Sequence, residues 1–546
     1  MYINYDQKGN YEYATASSSK RNGKSVGKDQ QIYLGRVIDK ERRIFKSKER
    51  GMFIFDPESV SFTPASEDVT ATLPKAEDNR RREQLILDFG NAFFFDQFIA
   101  SKKYDEVLDK IPFGNKDTLK AMLCFYALED LSNTNASDWF EGSFSKYLYP
   151  GAGLDSRRIS EFLESLGREE NYRAFFPLHI TYVMNQVKDD KGILIDSTGV
   201  PNSIHFPLTA ISNHNGKINN EMRLIAVVQK STGMPLYFRY VPGNIIDVNT
   251  IVRTVYELQA LGVDVDNCLL DAGYYNDDVF DSLRFASIDF MTRVNAVNGI
   301  CKNLLSDNLD TLCKKENLVR YNDRYLYIKC VPCKVGSKKD IPAFAYICKD
   351  ITRSNDEIEK FRDRERNNDF DRDKLFDTIS TSGIFILIST RHLPTTEILP
   401  TYYSRQQVEQ LFDIEKNYSN LVPLRVQTEE TLRGHLLLVF IVSTLIKMLQ
   451  EDLRDTEDTP MNLFLNLRNQ KCKVYNTTII TAEPVKKVND IYKSICHFGE
   501  LIIIDLPTLH RQSHTSESEI SMYLRKEFIL SSRQCFLSTH FCTLKT

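Results

Sequence analysis

Gly192-Ile193-Leu194-Ile195-Asp196-Ser197-Thr198-Gly199 is a short apolar run that ends in an aspartate and is followed by a glycine turn. Asn267-Cys268-Leu269-Leu270-Asp271-Ala272-Gly273 repeats the plan. Apolar runs of this length, bounded by turn residues, read as buried strands of a parallel or mixed sheet. An aspartate closing such a strand projects at the edge of the sheet, where open α/β sheets hold their ligands. A turn or a helix cap is the plainer reading of either aspartate alone. Together the two strands set the fold class as α/β.

Working outward, residues 222–230 and 236–241 read as strands joined by the turn Ser231-Thr232-Gly233-Met234. Residues 247–261 carry Ile251, Val255 and Leu258 at helical spacing, a short helix starts at Asn276, and residues 289–294 and 383–389 are strands again. Strands first and then alternating helix and strand describe a mixed sheet. The last of these strands delivers the chain to Tyr402-Tyr403-Ser404-Arg405-Gln406-Gln407-Val408-Glu409-Gln410-Leu411-Phe412-Asp413-Ile414-Glu415-Lys416. At about 100° per residue, one continuous helix places Tyr402, Arg405, Glu409 and Lys416 within roughly 60° of one another. Its face then offers a phenol, a guanidinium, a carboxylate and an amine.

The order Asp196, Asp271, Glu409, with Tyr402-x2-Arg405-x3-Glu409-x6-Lys416 around the last, resembles the DDE transposases of bacterial insertion sequences. The resemblance is to the subgroup marked by a Tyr-Arg-Glu-Lys signature. Pro242-Gly243-Asn244-Ile245-Ile246-Asp247 and Asp271-Ala272-Gly273-Tyr274-Tyr275 are similar to two further segments of that subgroup. The likeness runs from about Tyr172 to Leu449. It implies a ribonuclease-H-like mixed sheet interrupted by a β-rich insertion at about residues 295–377. It also implies a catalytic set of Asp196, Asp271 and Glu409, with Arg405 and Lys416 on DNA phosphate and Tyr402 positioning the DNA end. In relatives that excise through a DNA hairpin, a tryptophan of the insertion stacks on a flipped base. This insertion has none, and carries Tyr321, Tyr325, Tyr327, Phe344 and Tyr346 instead.

Cleavage and transfer of a phosphodiester are in-line displacements in which charge grows on the attacking and leaving oxygens, the chemistry that two Mg²⁺ ions about 4 Å apart support. Mg²⁺ takes a few carboxylates plus water and substrate phosphate. Asp196 is the expected shared ligand and Asp271 and Glu409 complete one site each, with Mn²⁺ as a substitute metal. The expected partner is double-stranded DNA, as element ends and as target, with a homodimer or higher assembly in the DNA complex because two ends must be held together.

The rest of the chain bounds this reading. At 546 residues, 42% hydrophobic and 26% charged, it is of ordinary soluble composition with room for two or three domains. The longest apolar run, residues 436–446, is too short to span a bilayer, and the start has the form of no signal peptide. A cytoplasmic bacterial protein, nucleoid-associated when on DNA and without a membrane partner, is the expectation. Eleven scattered cysteines suit reduced thiols. Cys330-Val331-Pro332-Cys333 lacks a second pair of ligands, and residues three apart on a strand face opposite ways, so zinc is set aside.

A net charge of −4 by itself argues against a nucleic-acid partner. Between Lys20 and Arg50, however, eleven Lys/Arg stand against four acids, and phosphate contacts need only a local cationic surface. Alternation at residues 11–13 and 31–37 around Asn22-Gly23 reads as a β-ribbon, either tracking DNA backbone or simply solvated. Helical periodicity follows from Glu83, with Trp139 assigned to the core. Asp155 or Ser156 is placed to cap a helix bearing Arg157 and Arg158, either a DNA recognition helix or a surface helix packed through Ile159, Phe162 and Leu163. The domain plan is a basic β-ribbon region (1–80), a helical N-terminal domain that is a candidate for DNA binding (81–188), a catalytic domain (189–454) and a C-terminal region of unassigned role (455–546). His205 and His214 follow the first aspartate, with no metal role given to either. His510 and His514 lie in a Ser/Thr-rich tail.

The function expected is metal-dependent DNA cleavage at insertion-sequence ends and strand transfer into target DNA. A catalytically inactive or regulatory DNA-binding relative is the alternative. A hydrolase using a carboxylate pair, such as a glycosidase, leaves Arg405 and Lys416 unexplained.

Overall fold

The computed structural model describes residues 1–8, 11–22, 25–65, 85–187, 191–201, 209–214, 217–244, 248–294, 299–365, 372–424, 426–474, 478–481, 485–491 and 503–505. The chain divides into two compact units, residues 1–85 and 86–546.

The first unit is an antiparallel meander of six strands in sequence order: β1 (Tyr2–Lys8), β2 (Tyr11–Asn22), β3 (Ser25–Asp39), β4 (Ile44–Ser47), β5 (Gly51–Asp56) and β6 (Ser61–Pro64). The expected ribbon is its longest hairpin, β2 with β3. Period-two alternation points Ala14, Ala16, Leu34, Phe45, Phe53 and Phe55 to one buried face. Cations lie over aromatic rings at its margins, Arg36 on Tyr11 and Lys40 on Tyr5.

The second unit opens with β7 (Leu85–Asp88) and the helices α1 (Gly90–Ser101), α2 (Asp105–Asp109), α3 (Lys116–Leu128), α4 (Ala136–Gly142), α5 (Ser145–Leu148), α6 (Ser156–Leu166) and α7 (Glu169–Met184). Asp155 caps α6 by accepting from the Arg158 N–H. Helix α6 packs through buried Ile159, Phe162, Leu163 and Leu166, while Arg157 pairs with Glu161 and Arg158 with Asp155 on its outer side. Trp139 is half-buried at the rim, against Phe125. It is packed against the large core of this unit as a partly buried side chain.

The central sheet is built from β8 (Gly192–Pro201), β9 (Ala210–His214), β10 (Lys217–Gln229), β11 (Pro235–Pro242), helix α8 (Val248–Ala260), β12 (Asn267–Leu270), helix α9 (Asp277–Phe285) and β13 (Asp289–Arg293). Helix α10 (Gly299–Leu312) follows, then β14 (Leu318–Tyr321), β15 (Arg324–Val335), β16 (Ile341–Asp350), helices α11 (Ile351–Glu365) and α12 (Arg372–Thr381), and β17 (Ile384–Ser389). The strand order is β11-β10-β8-β12-β13-β17-β16-β15-β14, with β9 paired to β10. Strands β8, β10 and β11 are antiparallel, whereas β12 and β13 run parallel to β8. This is the mixed sheet expected. The sheet is continuous in space, however: β17 pairs directly with β13, and β14 to β16 extend the same sheet from β17. The interruption exists along the chain only, because edge strands of the inserted segment find the open edge of β17.

After β17 come α13 (Ile398–Tyr403), α14 (Gln406–Asn417), α15 (Glu429–Asp452), α16 (Pro460–Arg468), β18 (Lys471–Val474), β19 (Thr478–Thr481), α17 (Lys486–Ile491) and β20 (Ile503–Asp505). Strands β18 to β20 form a small sheet with β7. Helix α15 starts at a Thr428/Thr431 capping box and is long and apolar enough to cross a membrane, yet 94% of its most apolar stretch is buried within the protein. It crosses α6 so closely that a Cβ on Gly434 would lie 1.9 Å from the Leu163 carbonyl oxygen, and one on Gly167 1.8 Å from that of Glu430. Only glycine permits that approach.

Alternation divides the sheet's residues between two cores. Leu194, Ala226, Val228, Leu269 and Met291 face α13 and α14, packing with Leu399, Val408, Leu411 and Phe412. Ile193, Ile195, Ile225, Val227, Cys268 and Leu270 belong to the larger core that holds the buried residues of α7, α8, α9 and α15. Cys330 joins the first core and Cys333 the second, so the two thiols lie on opposite faces.

Candidate active site

Strand register brings the first two acids together. In the parallel pair β8/β12, Ile195 lies beside Leu270, so the next residues, Asp196 and Asp271, emerge side by side on neighbouring strands about 4.8 Å apart. Strand β12 stops there, and the chain turns into a single 3₁₀ turn, Ala272–Tyr274, steadied by the Thr292 hydroxyl donating to the Asp271 carbonyl at 3.1 Å. Asp196 is different from expectation: β8 continues past it to Pro201, because β10 pairs with it over its whole length. Asp196 is therefore a mid-strand residue on the same face as Leu194.

The third acid arrives on α14, and the helix reading needs correction. Tyr402 lies in the last turn of α13, Ser404 and Arg405 form a tighter turn in the right-handed helical region, and α14 begins at Gln406. The single stripe thus becomes two helices, because Arg405 and Ser404 N–H groups bond back into α13 while Val408 N–H begins the next turn on Arg405. From this turn the Arg405 side chain reaches the acids. Its Nη1 lies 2.7 Å from Asp271 Oδ1 and 3.2 Å from Asp196 Oδ2, and its Nη2 lies 2.8 Å from Glu409 Oε1. One guanidinium joins all three acids. Side-chain exposure rises from 12% at Asp196 through 35% at Asp271 to 53% at Glu409, so the cluster opens outward on the Glu409 side.

The rest of the signature surrounds this centre. Tyr402 is buried, its ring centroid 5.9 Å from the Arg405 guanidinium carbon. Lys416, two turns beyond Glu409, donates to Thr198 Oγ1 at 2.5 Å. Thr198 is two residues past Asp196 and so shares its face of β8. Gly243 N–H donates to the Glu221 carbonyl at 3.1 Å, while Asp247 of the same segment and His205 lie outside the described residues, as do His510 and His514. For His214 the structure describes only the backbone, in β9.

Charge is unbalanced here. Burial, and then the neighbouring Asp271 charge, raise the Asp196 carboxyl to about 7, against the lowering effects of Arg405 and the Ser197 N–H. Burial opposes the charge on Arg405, yet Asp271 and Asp196 outweigh it and raise its pKa. Burial lowers Lys416, with Glu415 acting the other way. Three carboxylates against one guanidinium leave a deficit of positive charge, and carboxylate oxygens are the donors that hard dications take. In chemistry the set fits such an ion. In arrangement the acids are gathered round a guanidinium, and among the described residues no three acid, His or Cys side chains form a ready metal cage.

The sequence reading missed an aromatic assembly beside the site. Tyr403 stacks on Tyr321 of β14 at 5.5 Å and 13°, and Arg324 lies 5.9 Å from the Tyr321 ring and 5.6 Å from the Tyr403 ring. No periodicity signals it, since a helix and a hairpin some eighty residues apart contribute the rings. The other aromatics differ: Tyr346 is buried with its hydroxyl donating to the Leu393 carbonyl, Phe344 packs on His392, Tyr327 is partly buried and Tyr325 is exposed.

Comparison with known proteins bears on this geometry. Residues 188–445 match the family model of the transposase DDE domain. That match supports a DDE transposase family. Its span begins just before β8 and ends within α15, so the matched stretch takes in every element that supplies an acid. Divalent ions are general in that family. Two solved structures are similar at low identity. One is a cryo-EM structure of the piggyBac transposase synaptic complex with hairpin DNA, at 12% identity and a TM-score of 0.38, covering 78% of this chain and 87% of that one. The other is the Drosophila P element transposase strand transfer complex, at 10% identity and a TM-score of 0.18, covering 79% and 98%. No curated protein matches the chain.

Proposed function

We propose that the chain is a transposase that cleaves DNA at the ends of a bacterial insertion sequence and joins those ends to target DNA. The observation that carries this is the meeting of Asp196, Asp271 and Glu409, from β8, β12 and α14, on a single side chain. Within a domain matched as a transposase DDE domain, three convergent acids are the set that phosphodiester chemistry calls for.

Asp196, Asp271 and Glu409 would hold two Mg²⁺ ions, or Mn²⁺ in their place, and the ions would supply charge stabilisation for the attacking and leaving oxygens. The chain's own residues do the rest. Buried Asp196 fixes the inner end of the site and exposed Glu409 its outer end, so the scissile phosphate enters from the Glu409 side. Lys416, tethered to Thr198, sets a positive charge along the same face for the DNA backbone. Tyr402 fills the floor beneath Arg405 and fixes where the DNA end stops. The Tyr321/Tyr403 stack with Arg324 presents ring faces and a guanidinium to a base beside the cut. The basic hairpin β2/β3 adds contacts to the DNA backbone. Two ends held together imply a homodimer or larger assembly on DNA, in the cytoplasm at the nucleoid.

Incubating the protein with duplexes carrying its own element's ends, with and without Mg²⁺, tests the assignment. Nicking in Mg²⁺ that disappears in Asp271→Asn is the expected result. Binding without cutting in any divalent metal would mark a regulatory relative, and cutting that survives chelation would sink the three-acid mechanism.

A further inference from the structure

The Tyr-Arg-Glu-Lys resemblance implies that Arg405 contacts DNA phosphate, yet its guanidinium is spent on the three acids. We propose that Arg405 is an internal counter-ion: it occupies the cation position between Asp196, Asp271 and Glu409 until a DNA phosphate draws it out, so that loading of divalent metal is coupled to binding of DNA. This rests on the three-acid reading above.

The geometry supports the role in three ways. Nη1 lies within 3.2 Å of both Asp196 and Asp271, and Nη2 is 2.8 Å from Glu409, so each acid offers the guanidinium an oxygen that a metal would also need. A guanidinium brings one positive charge where a dication brings two, and it is bulky, so ion and side chain compete for the same oxygens. Arg405 also stands at the turn between α13 and α14, its side chain 20% exposed. From there it has a path toward solvent on the Glu409 side, the side by which a phosphate enters. A phosphate is the one common group that matches the guanidinium fork as well as a carboxylate does. Left without a partner, the acids would repel one another. With Arg405 in place the site stays folded yet closed to metal, which keeps a nuclease centre idle away from its substrate.

Linkage makes the idea measurable: if DNA raises metal affinity, metal raises DNA affinity by the same factor. The probe is Mn²⁺ alone, its free concentration read by electron paramagnetic resonance against the full chain, with and without an element-end duplex. For the wild type, DNA is expected to tighten Mn²⁺ binding tenfold or more. Arg405→Gln should bind Mn²⁺ without DNA about as tightly as the wild type does with it, and Arg405→Lys should gain part of that increase. Both gains should vanish when Asp271→Asn is added. Thermal unfolding of each variant identifies any that fails to fold, and Arg405→Lys, which keeps the charge, then decides. Should folded Arg405→Gln or Arg405→Lys bind Mn²⁺ no tighter than the wild type, while wild-type binding still depends on Asp271, the counter-ion role is overturned and the three-acid site stands. Should no variant bind Mn²⁺ in an Asp271-dependent way, with or without DNA, both are overturned.

Discussion

Helices α14 and α15 pack against opposite faces of one sheet and are built on opposite principles. Helix α15 buries residues nearly all round, from Leu432 to Leu449, and its polar groups there are few and turned into the protein: His435, for example, bonds Tyr126 and the Leu421 carbonyl. Helix α14 buries one stripe, Val408, Leu411, Phe412 and Ile414 with Glu415 beside it, and leaves its other flank to charged side chains. A helix closed on every side can only pack. A helix held by one stripe leaves a flank on which Glu409 and Lys416 meet groups from the sheet. Stability and chemistry are thereby assigned to different faces, and substitutions on the two helices should separate them.

The largest separation is expected between Asp271→Asn, in the site that α14 completes, and Gly434→Ala on α15. Asp271→Asn should lower Mg²⁺-dependent nicking about a thousandfold, on the order of 4 kcal/mol in the transition state. Its urea midpoint should stay at or above that of the wild type, because one of three mutually repelling acids is gone. Gly434→Ala should do the reverse. Its methyl would stand 1.9 Å from the Leu163 carbonyl oxygen, so α6 and α15 must part. A loss of roughly 1–3 kcal/mol or more follows for such overpacking, with nicking per folded molecule intact well below the midpoint. If Gly434→Ala abolished nicking without moving the midpoint, the division between the two faces would fail.

Acid and base should act on the two helices in opposite senses. Glu415 on α14 is buried with Oε2 unpartnered, and burial raises its carboxyl to about 8. Below pH 4.5 it is neutral whether folded or not. As pH climbs from 4.5 toward 8, unfolding releases a proton that the fold retains, so its contribution to stability is progressively lost. Burial lowers His435 on α15, and His179 on α7, to about 4. Above pH 6.5 they are neutral in both states, and as pH falls from 6.5 toward 4 the unfolded chain takes up protons that the fold refuses. Thermal midpoints recorded from pH 4 to 9 should therefore show Glu415→Gln flattening the decline between 4.5 and 8. His435→Gln should flatten part of the acid limb. An unchanged slope in Glu415→Gln would mean that Glu415 is ionised in the folded protein.

The same contrast explains what the sequence made legible. The two aspartate strands, the turn at Ser231 to Met234 and the helix after Asn276 all follow from local sequence pattern, and all are present. The acids too stand out, because each sits beside its own motif. What escapes local reading is whatever a distant partner decides. Strand β8 runs past Asp196 because β10 pairs with it there. The inserted strands join the main sheet because β17 offers an edge. The helix at Tyr402 breaks where Arg405 turns toward two aspartates more than 130 residues away. A 100° helical wheel assumes i to i−4 bonding throughout, and around Arg405 the bonds tighten to i−3.

The smallest expected effect concerns α6, read from sequence as either a recognition helix or a packed surface helix. Its apolar side lies on α15, and both first-turn arginines are paired with acids of their own segment, Arg157 with Glu161 and Arg158 with Asp155. Asp155 accepts from the Arg158 N–H and caps the helix. Asp155→Ala should thus cost about 1 kcal/mol of stability, the usual loss for a missing cap, and shift the urea midpoint slightly. A surface helix leaves element-end affinity unchanged in this variant. A recognition helix gains affinity instead, since freeing Arg158 strengthens a contact to phosphate, and the gain should shrink with added salt. Measuring midpoint and affinity in the same variant therefore decides whether α6 belongs with α15, as packing, or with α14, as part of the DNA-facing surface.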